Sequence, residues 1–295
     1  MTTFDSFPWP VPPGGTTTPR WNGRNFEHDG TESRILAYAV SDSHWSDDLT
    51  FMHEAEAGRD HPIDVASRQL AVHSMERLPV TDPTILDVGC SSGFLLEDLQ
   101  QALPAASLLG ADYLQGPLQG LAQRMPDIPI LQFDLRKCPL PDSCVDGITC
   151  LNVLEHIDDD EAAMAEIYRI LKPGGIAHLE VPSGPKLYDI YDEHLMHHRR
   201  YRLKDLTSMA QRHQFRVQQA THLGFALYPA FWWTKKGNRK KLGLPAEEKK
   251  QLVAEQIRHS RNNVILHWAT RFELLLGHLF NFPVGIRCVV VLCKA

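Results

Sequence analysis

The chain has 295 residues, 43% of them apolar and 22% charged, with a net charge of −6. That mixture describes an ordinary globular protein long enough to bury a sizeable core, and its mild acidity argues against general nucleic-acid binding, which leaves a basic footprint. No basic stretch followed by an apolar run opens the chain, and no apolar run reaches the roughly 18 residues of a membrane span, so a cytoplasmic protein is expected.

Residues 1–30 are rich in Pro, Gly and Thr (Pro8, Pro10, Pro12, Pro13, Gly14, Gly15, Pro19). Proline fixes φ and removes a backbone donor, so little regular structure is expected there. The reading is an extended arm over residues 1–60, its second half mixed in pattern. Residues 62–78 look helical: Pro62 suits the first turn, and Ile63, Ala66, Leu70 and Met75 approximate one face. From Thr84 short apolar runs alternate with helical ones. The strands are Thr84–Gly89, Ser107–Ala111, Ile128–Phe133, Val145–Leu151 and Ile176–Val181. The helices between them are Phe94–Leu103, Pro117–Met125 and Asp159–Leu171, the last stopped by Lys172-Pro173-Gly174-Gly175. A further helix, Leu203–Arg212, and strand, Phe215–Thr221, follow. Residues 224–281 break this rhythm, and Val284–Leu292 is again strand-like. Alternating β and α units with short buried strands predict an α/β fold with a parallel, doubly wound sheet. One domain then spans 61–223 and 282–295, with 224–281 inserted. Cys90, Cys138, Cys144, Cys150, Cys288 and Cys293 form no CxxC pair, which fits buried, reduced thiols.

The most informative stretch is Ile85-Leu86-Asp87-Val88-Gly89-Cys90-Ser91-Ser92-Gly93-Phe94, a buried strand, a loop of small residues and a helix start. Free N–H groups and the positive dipole end of such a helix suit the polar part of a nucleotide-like ligand. The dinucleotide pattern GxGxxG fails, because Ser91 stands at its second glycine and Phe94 at its third; no Gly-Lys-Ser/Thr completes a P-loop. Asp112 ends the next strand 23 residues after Gly89, the interval at which a carboxylate reaches a ribose diol. Asp134 ends the third strand, where it could accept from an adenine amino group, and Leu151-Asn152 ends the fourth. Open α/β sheets bind ligands at these carboxyl ends, around the switch point.

Leu-Asp-Val-Gly-Cys-Ser-Ser-Gly, Gly-Ala-Asp, Phe-Asp-Leu, Asn-Val-Leu-Glu-His-Ile and Arg-Ile-Leu-Lys-Pro-Gly-Gly, in this order between about Thr84 and Phe225, resemble the class I S-adenosylmethionine (SAM)-dependent methyltransferases, small-molecule branch. The resemblance implies a Rossmann-like sheet of seven strands whose last, antiparallel strand is Val284–Leu292, with helices on both faces. It implies SAM as cofactor and S-adenosylhomocysteine as product. Asp87, Gly89, Cys90, Ser91, Gly93 and Phe94 would shape the methionine side, and Asp112 with Tyr113 the ribose. Asp134 and Leu135 would hold the adenine, and Leu151 and Asn152 would line the sulfonium. Ser91 departs from the family, which often has glycine there.

Methyl transfer is a displacement on an already activated leaving group, so positioning in a dry site does much of the work. A general base is needed only for an acceptor that still holds its proton. The candidates are His156, just past the fourth strand, and His194 or His197. The latter two belong to a segment with three His, two Arg and three Tyr within residues 188–201. Paired arginines can clamp a carboxylate or phosphate, so Tyr188, Tyr191, His198, Arg199, Arg200 and Tyr201 are read as binding an anionic or phosphate-linked acceptor. The competing reading is a salt-bridged helix start in which Asp189, Asp192 and Glu193 pair with the arginines. Metal ligation by His194, His197 and His198 is the weaker alternative, and no metal is expected.

Residues 224–262 carry nine Lys/Arg and three acids, a local charge of +6. Lys235, Lys236, Arg239, Lys240 and Lys241 follow Phe231-Trp232-Trp233, and Trp232 is read as an acceptor contact. Aromatic residues beside a basic cluster suit a lid, a peripheral contact with the inner membrane surface, or an ordinary core with a charged rim. The later helix around Trp268 and Phe272 could pack internally or join a homodimer. The leading expectation is methyl transfer to a small-molecule acceptor, lipid-linked, glycan-related or anionic. The alternatives are a membrane-associated C- or O-methyltransferase of quinone-like aromatics and a SAM-binding protein without turnover that serves a partner.

Overall fold

The computed structural model describes residues 4, 6–39, 58–261, 264–277 and 280–295. Eight strands form the main sheet, β4 (Ile35–Ala37), β5 (Thr84–Val88), β6 (Ser107–Asp112), β7 (Ile130–Gln132), β8 (Val145–Leu151), β9 (Leu171–Pro182), β10 (Phe215–Leu223) and β11 (Arg287–Lys294). Their spatial order is β10-β11-β9-β8-β5-β6-β7-β4. Only β11 runs antiparallel to its neighbours, β9 and β10; every other pairing is parallel. The chain leaves β5 for β6 and β7 on one side and returns to β8 and β9 on the other. The switch point therefore lies between β5 and β8, where open sheets of this kind hold their ligands.

Alternation along β5 shows how the sheet is buried on both faces. Ile85 joins a core with Ala71, Met75, Leu96, Leu99, Leu118 and Leu121. Those residues come from α1 (Pro62–Met75), α2 (Phe94–Ala102) and α3 (Gln115–Arg124). Leu86 and Val88 join the opposite core with Ala163, Ile167 and Leu206, from α4 (Asp160–Ile170) and α6 (Leu203–Arg212). A period of two on a doubly covered sheet gives near-continuous apolar runs such as Ile85-Leu86, as seen. The six cysteines are buried and form no disulfide.

Two expectations are corrected. The main sheet has eight strands rather than seven, because β4 pairs with the edge strand β7 in parallel. The N-terminal segment is also more ordered than an extended arm. Arg20–Trp21 (β1), Phe26–His28 (β2) and Thr31–Ser33 (β3) form a small antiparallel sheet. Trp9, Trp21 and Phe26 are buried in the same core as Leu36, Phe133 and Leu135, and aromatic edges meet between Trp9 and Phe26 with centroids 4.9 Å apart. Proline and glycine shape the turns locally, but burial of large aromatic area decides where the segment sits. Residues 40–57, most of the stretch the sequence leaves mixed, lie outside the described residues.

Between β10 and β11 lie three helices, α7 (Tyr228–Arg239), α8 (Ala246–Arg261) and α9 (Val264–Gly277), while the short α5 (Ile190–His194) follows β9. Glu273 of α9 clips the turn before α7 by accepting from the backbone N–H groups of Gly224, Phe225 and Ala226 at 2.7–3.1 Å. Among the described residues no helix is long and apolar enough to cross a membrane.

Candidate active site

The loop after β5 is a tight turn closed by a 2.7 Å bond from the Gly93 N–H to the Cys90 carbonyl. Gly89 and Gly93 have φ of +74° and +77°, the left-handed region that glycine enters without a Cβ penalty. A Cβ on Gly89 would lie 2.3 Å from Val153 Cγ2, and one on Gly93 2.3 Å from Leu121 Cδ1. The loop must therefore sit against the β8 loop and α3, and only glycine allows both contacts. Ser91 carries a positive φ of 44°, so the position where the family often has glycine keeps the glycine-like backbone.

Asp112 ties this loop to the end of β6. Its Oδ2 accepts from the Ser91 N–H at 3.0 Å, and its Oδ1 from the Leu114 N–H at 3.0 Å. A carboxylate has acceptor positions for about four bonds. Asp87, buried at the end of β5, accepts from Thr149 Oγ1 at 2.7 Å. Burial pushes its carboxyl up to about 7, against the Thr149 hydrogen bond and with help from the Asp112 charge. Cys90 and Leu135 are buried, while Tyr113 and Leu151 are half-buried. The Phe94 ring lies under the guanidinium groups of Arg59 and Arg68, 5.6 and 5.8 Å from its centroid, so it faces α1 and the segment before it.

Asp134 differs from the open carboxylate expected. It caps the next turn by accepting from the Arg136 N–H, and Arg136 grips both its oxygens at 2.7–3.0 Å. Burial works to raise the Asp134 carboxyl, but these Arg136 bonds outweigh it and hold it below the usual range. Arg136 also pairs with Asp158.

At the end of β8, Asn152 has φ +55° and donates its N–H to the Glu180 carbonyl at 2.8 Å. Glu180, fully buried on β9, was not foreseen. Its Oε1 accepts from Ser67 at 2.7 Å and from Arg287 at 2.8 Å, and Arg287 continues to Asp64. Helix α1, β8, β9 and β11 thus meet in one polar knot beside the switch point. The sequence signal was available: His178 and Glu180 are polar residues in an otherwise apolar buried run.

The segment 188–201 folds on itself, and its arginines pair with acids of the chain. Asp189 and Asp192 form a capping box at the start of α5. The buried Arg200 donates to Asp192 at 2.7 Å and to the Ser183 carbonyl at 2.8 Å. Arg199 pairs with Asp160 at 2.7 Å and donates to the Asp158 carbonyl. The Tyr201 hydroxyl bonds Asp160 and the Leu154 carbonyl, and the Tyr188 hydroxyl the His197 carbonyl. Buried Lys235 of α7 completes the cluster at 2.6 Å from Asp189 and 3.1 Å from Asp192. These cations meet acids within the chain, so the salt-bridged reading describes them. A cleft of about 400 Å³ lined by Arg199, Arg202, Arg212, Asp160 and Asp205 among others touches none of the cofactor-side residues. His198 is exposed, His194 ends α5 half-buried, and Tyr191 lies under Lys235, whose Nζ is 5.0 Å from the ring centroid. Trp232 is exposed on α7.

His197 has another setting. Its Nδ1 lies 2.9 Å from Asp192 Oδ1, and its ring meets His156 edge to face with centroids 4.7 Å apart. Glu155, which no expectation included, is fully buried beside them. Of the candidate bases, the structure brings His156 and His197 together.

Residues 86–179 match the family described as a methyltransferase domain. With the glycine loop, the Asp112 tie and the β5/β8 switch point, that match decides the matter. The chain carries a class I SAM-dependent methyltransferase domain. The demethylmenaquinone methyltransferase of Thermus thermophilus is 30% identical over 145 residues, covering 45% of this chain and 64% of that protein. The ubiquinone biosynthesis O-methyltransferase of Pseudomonas putida is 30% identical over 135 residues, covering 38% of this chain and 50% of that protein. The chain thus spans less than two thirds of the length of either relative. Among solved structures, a putative sarcosine dimethylglycine methyltransferase from Galdieria sulphuraria superposes with a TM-score of 0.58 at 13% identity, covering 84% of this chain and 99% of that one. At that identity the likeness is one of fold.

Proposed function

We propose that this methyltransferase domain transfers the SAM methyl group to a small-molecule acceptor, a quinone-like aromatic held at an anionic membrane surface. The observation that carries the cofactor half is the Asp112 tie: one carboxylate fixes the glycine loop through Ser91 and faces the carboxyl edge of the sheet. In this reading Asp112 takes the ribose hydroxyls and the loop from Gly89 to Gly93 holds the methionine end. Asp134 and Leu135 meet the adenine once Arg136 yields, and Leu151 and Asn152 lie by the sulfonium. Bound SAM would supply an activated methyl group, which the acceptor's nucleophilic atom takes as S-adenosylhomocysteine leaves with the electron pair. The chain's part is to align the acceptor and exclude water.

Two observations support the acceptor half. The relatives above act, by their names, on quinone precursors. The helical insert also exposes aromatic area: Trp233 is 69% exposed, and Trp268, Phe272 and Leu275 of α9 are 63–69% exposed. The last three fall four and three residues apart, on one helical face. Lys236 sits over the rings of Trp232 and Trp233 at 5.0 and 5.8 Å, an arrangement suited to aromatic groups at the headgroup level and cations on anionic lipid. Flotation with vesicles tests this half. The protein should float with phosphatidylglycerol-containing vesicles, float much less with pure phosphatidylcholine, and lose binding in W233S/F272S. Equal behaviour with both lipids, or none with either, would remove the membrane from the reading. Calorimetry with S-adenosylhomocysteine tests the cofactor half separately.

A further inference from the structure

We propose that Glu155, His156 and His197 form a divalent-cation site beside the acceptor side of the domain. One ligand atom from each residue lies within 4.8 Å of the others. Donors around an ion with bonds of about 2.1 Å stand roughly 3–4 Å apart, so small side-chain rotations close the set.

Glu155 is the strongest sign. It follows β8 in a short 3-10 turn, Leu154–His156, and is fully buried. Neither of its carboxyl oxygens has a hydrogen-bond partner among the described residues. Burying such a group unpaired costs on the order of 1–3 kcal/mol, more when it is charged, and each such group in a native structure calls for a reason. Its backbone is pinned, since the Glu155 carbonyl accepts from the His198 N–H at 2.8 Å. The turn before α4 and the turn after α5 are therefore held against each other, which keeps His156 and His197 in contact. Burial pushes the Glu155 carboxyl up to about 8, with its own backbone N–H, Arg287 and Arg200 opposing. A cation between the two imidazoles would reverse that.

The second sign is how His197 is oriented. Its Nδ1 faces Asp192 at 2.9 Å, which places the proton on Nδ1 and the lone pair on Nε2. Asp192 is itself fixed by Arg200 and Lys235. A buried carboxylate that holds one imidazole nitrogen and turns the other toward an ion is the usual outer support of a metal-binding histidine. The positive charges of Arg200 and Arg287 are already met by Asp192, Asp64 and Glu180, so they leave Glu155 as the acid facing the histidines.

Two imidazoles and one carboxylate suit a first-row divalent ion such as Zn²⁺, Co²⁺ or Mn²⁺ better than Mg²⁺ or Ca²⁺, which prefer all-oxygen sets. Three protein ligands leave positions for an oxygen of a small molecule. That the oxygen belongs to the methyl acceptor rests on the proposed function; the ion site itself does not.

The test uses Co²⁺ and the full chain, freed of metal with EDTA. Wild type should bind about one equivalent in equilibrium dialysis and develop visible absorption. E155Q and H156A, if they melt like wild type, should each weaken binding roughly tenfold or more. Failure of the folded wild type to bind Co²⁺ stoichiometrically, or unchanged affinity in folded E155Q, would overturn the site. S-adenosylhomocysteine calorimetry on the same samples keeps the two readings apart: lost Co²⁺ with intact cofactor binding rejects the ion site alone.

Discussion

Lys235 of α7 places its ammonium 2.6 Å from the Asp189 carboxylate, and both side chains are buried. One lysine thereby fastens the helical insert to the segment that follows β9. Asp192 shares that lysine and also meets Arg200 and His197. Burial would raise the Asp192 carboxyl, but His197, Arg200 and Lys235 hold it well below the usual range. Removing one member of a buried charge cluster strands the others, at about 3–5 kcal/mol. Asp192→Asn should therefore lower urea stability by about that amount and loosen the insert. A loss under about 1 kcal/mol would show the cluster to be peripheral to stability.

Asp112→Ala should fold and lose cofactor affinity. Hydrogen bonds to a charged group contribute about 1.5–3 kcal/mol, so S-adenosylhomocysteine should bind roughly tenfold to a hundredfold more weakly by calorimetry. Full-strength binding would remove Asp112 from the ribose.

Arg136 grips Asp134, so arginine and ligand compete if Asp134 meets the adenine. Arg136→Ala should keep or raise S-adenosylhomocysteine affinity by a few fold, while Asp134→Ala should lower it. A large loss in Arg136→Ala would mean that the arginine itself contacts the ligand.

Gly89→Ala places a Cβ 2.3 Å from Val153 Cγ2 at a φ of +74°. The backbone term is about 1–2 kcal/mol, and the clash adds to it because a β-branched neighbour turns poorly. The variant should unfold at lower urea and bind cofactor weakly. Adding Val153→Ala should recover the clash but not the backbone term, so complete recovery would contradict the left-handed assignment.

Stability should fall as pH rises from about 4 and level off above about 8. Asp87 and Glu155 have folded-state values of about 7 and about 8, both raised by burial above the ordinary carboxyl range. The native state then holds protons that the unfolded chain releases above about pH 4, so stability present at low pH is lost as pH climbs from about 4 to about 8. Urea titrations at pH 6, 7.5 and 9 should show this, on the order of a few kcal/mol, with E155Q flatter than wild type between the last two. A wild type that gains stability over that range would contradict both assignments.

What could be read from the sequence follows from how local each feature is. The glycine loop and Asp112 are legible because strand, loop and carboxylate recur at fixed spacing along 26 residues, from Asp87 to Asp112. β4 escapes because three residues, Ile35–Ala37, give no periodicity to find. The N-terminal segment misleads because its prolines and glycines act locally, whereas the burial of Trp21 and Phe26 is set by distant strands. The pairing of Arg199 and Arg200 is hidden because composition displays charges without their partners; Lys235, which completes the cluster, lies 43 residues beyond Asp192. Glu155 stands in the Asn-Val-Leu-Glu-His run itself, but only the structure shows it buried with its oxygens unpartnered.

Methyl transfer from labelled SAM tests the central claim most directly. Purified protein is incubated with methyl-labelled SAM and host extract, which is then split into organic-extractable and aqueous small-molecule fractions. Label in the organic fraction, lost in Asp112→Ala, is the predicted result. Label confined to the aqueous fraction would contradict the quinone-like acceptor, and binding of S-adenosylhomocysteine with no labelled product in either fraction would contradict methyl transfer itself.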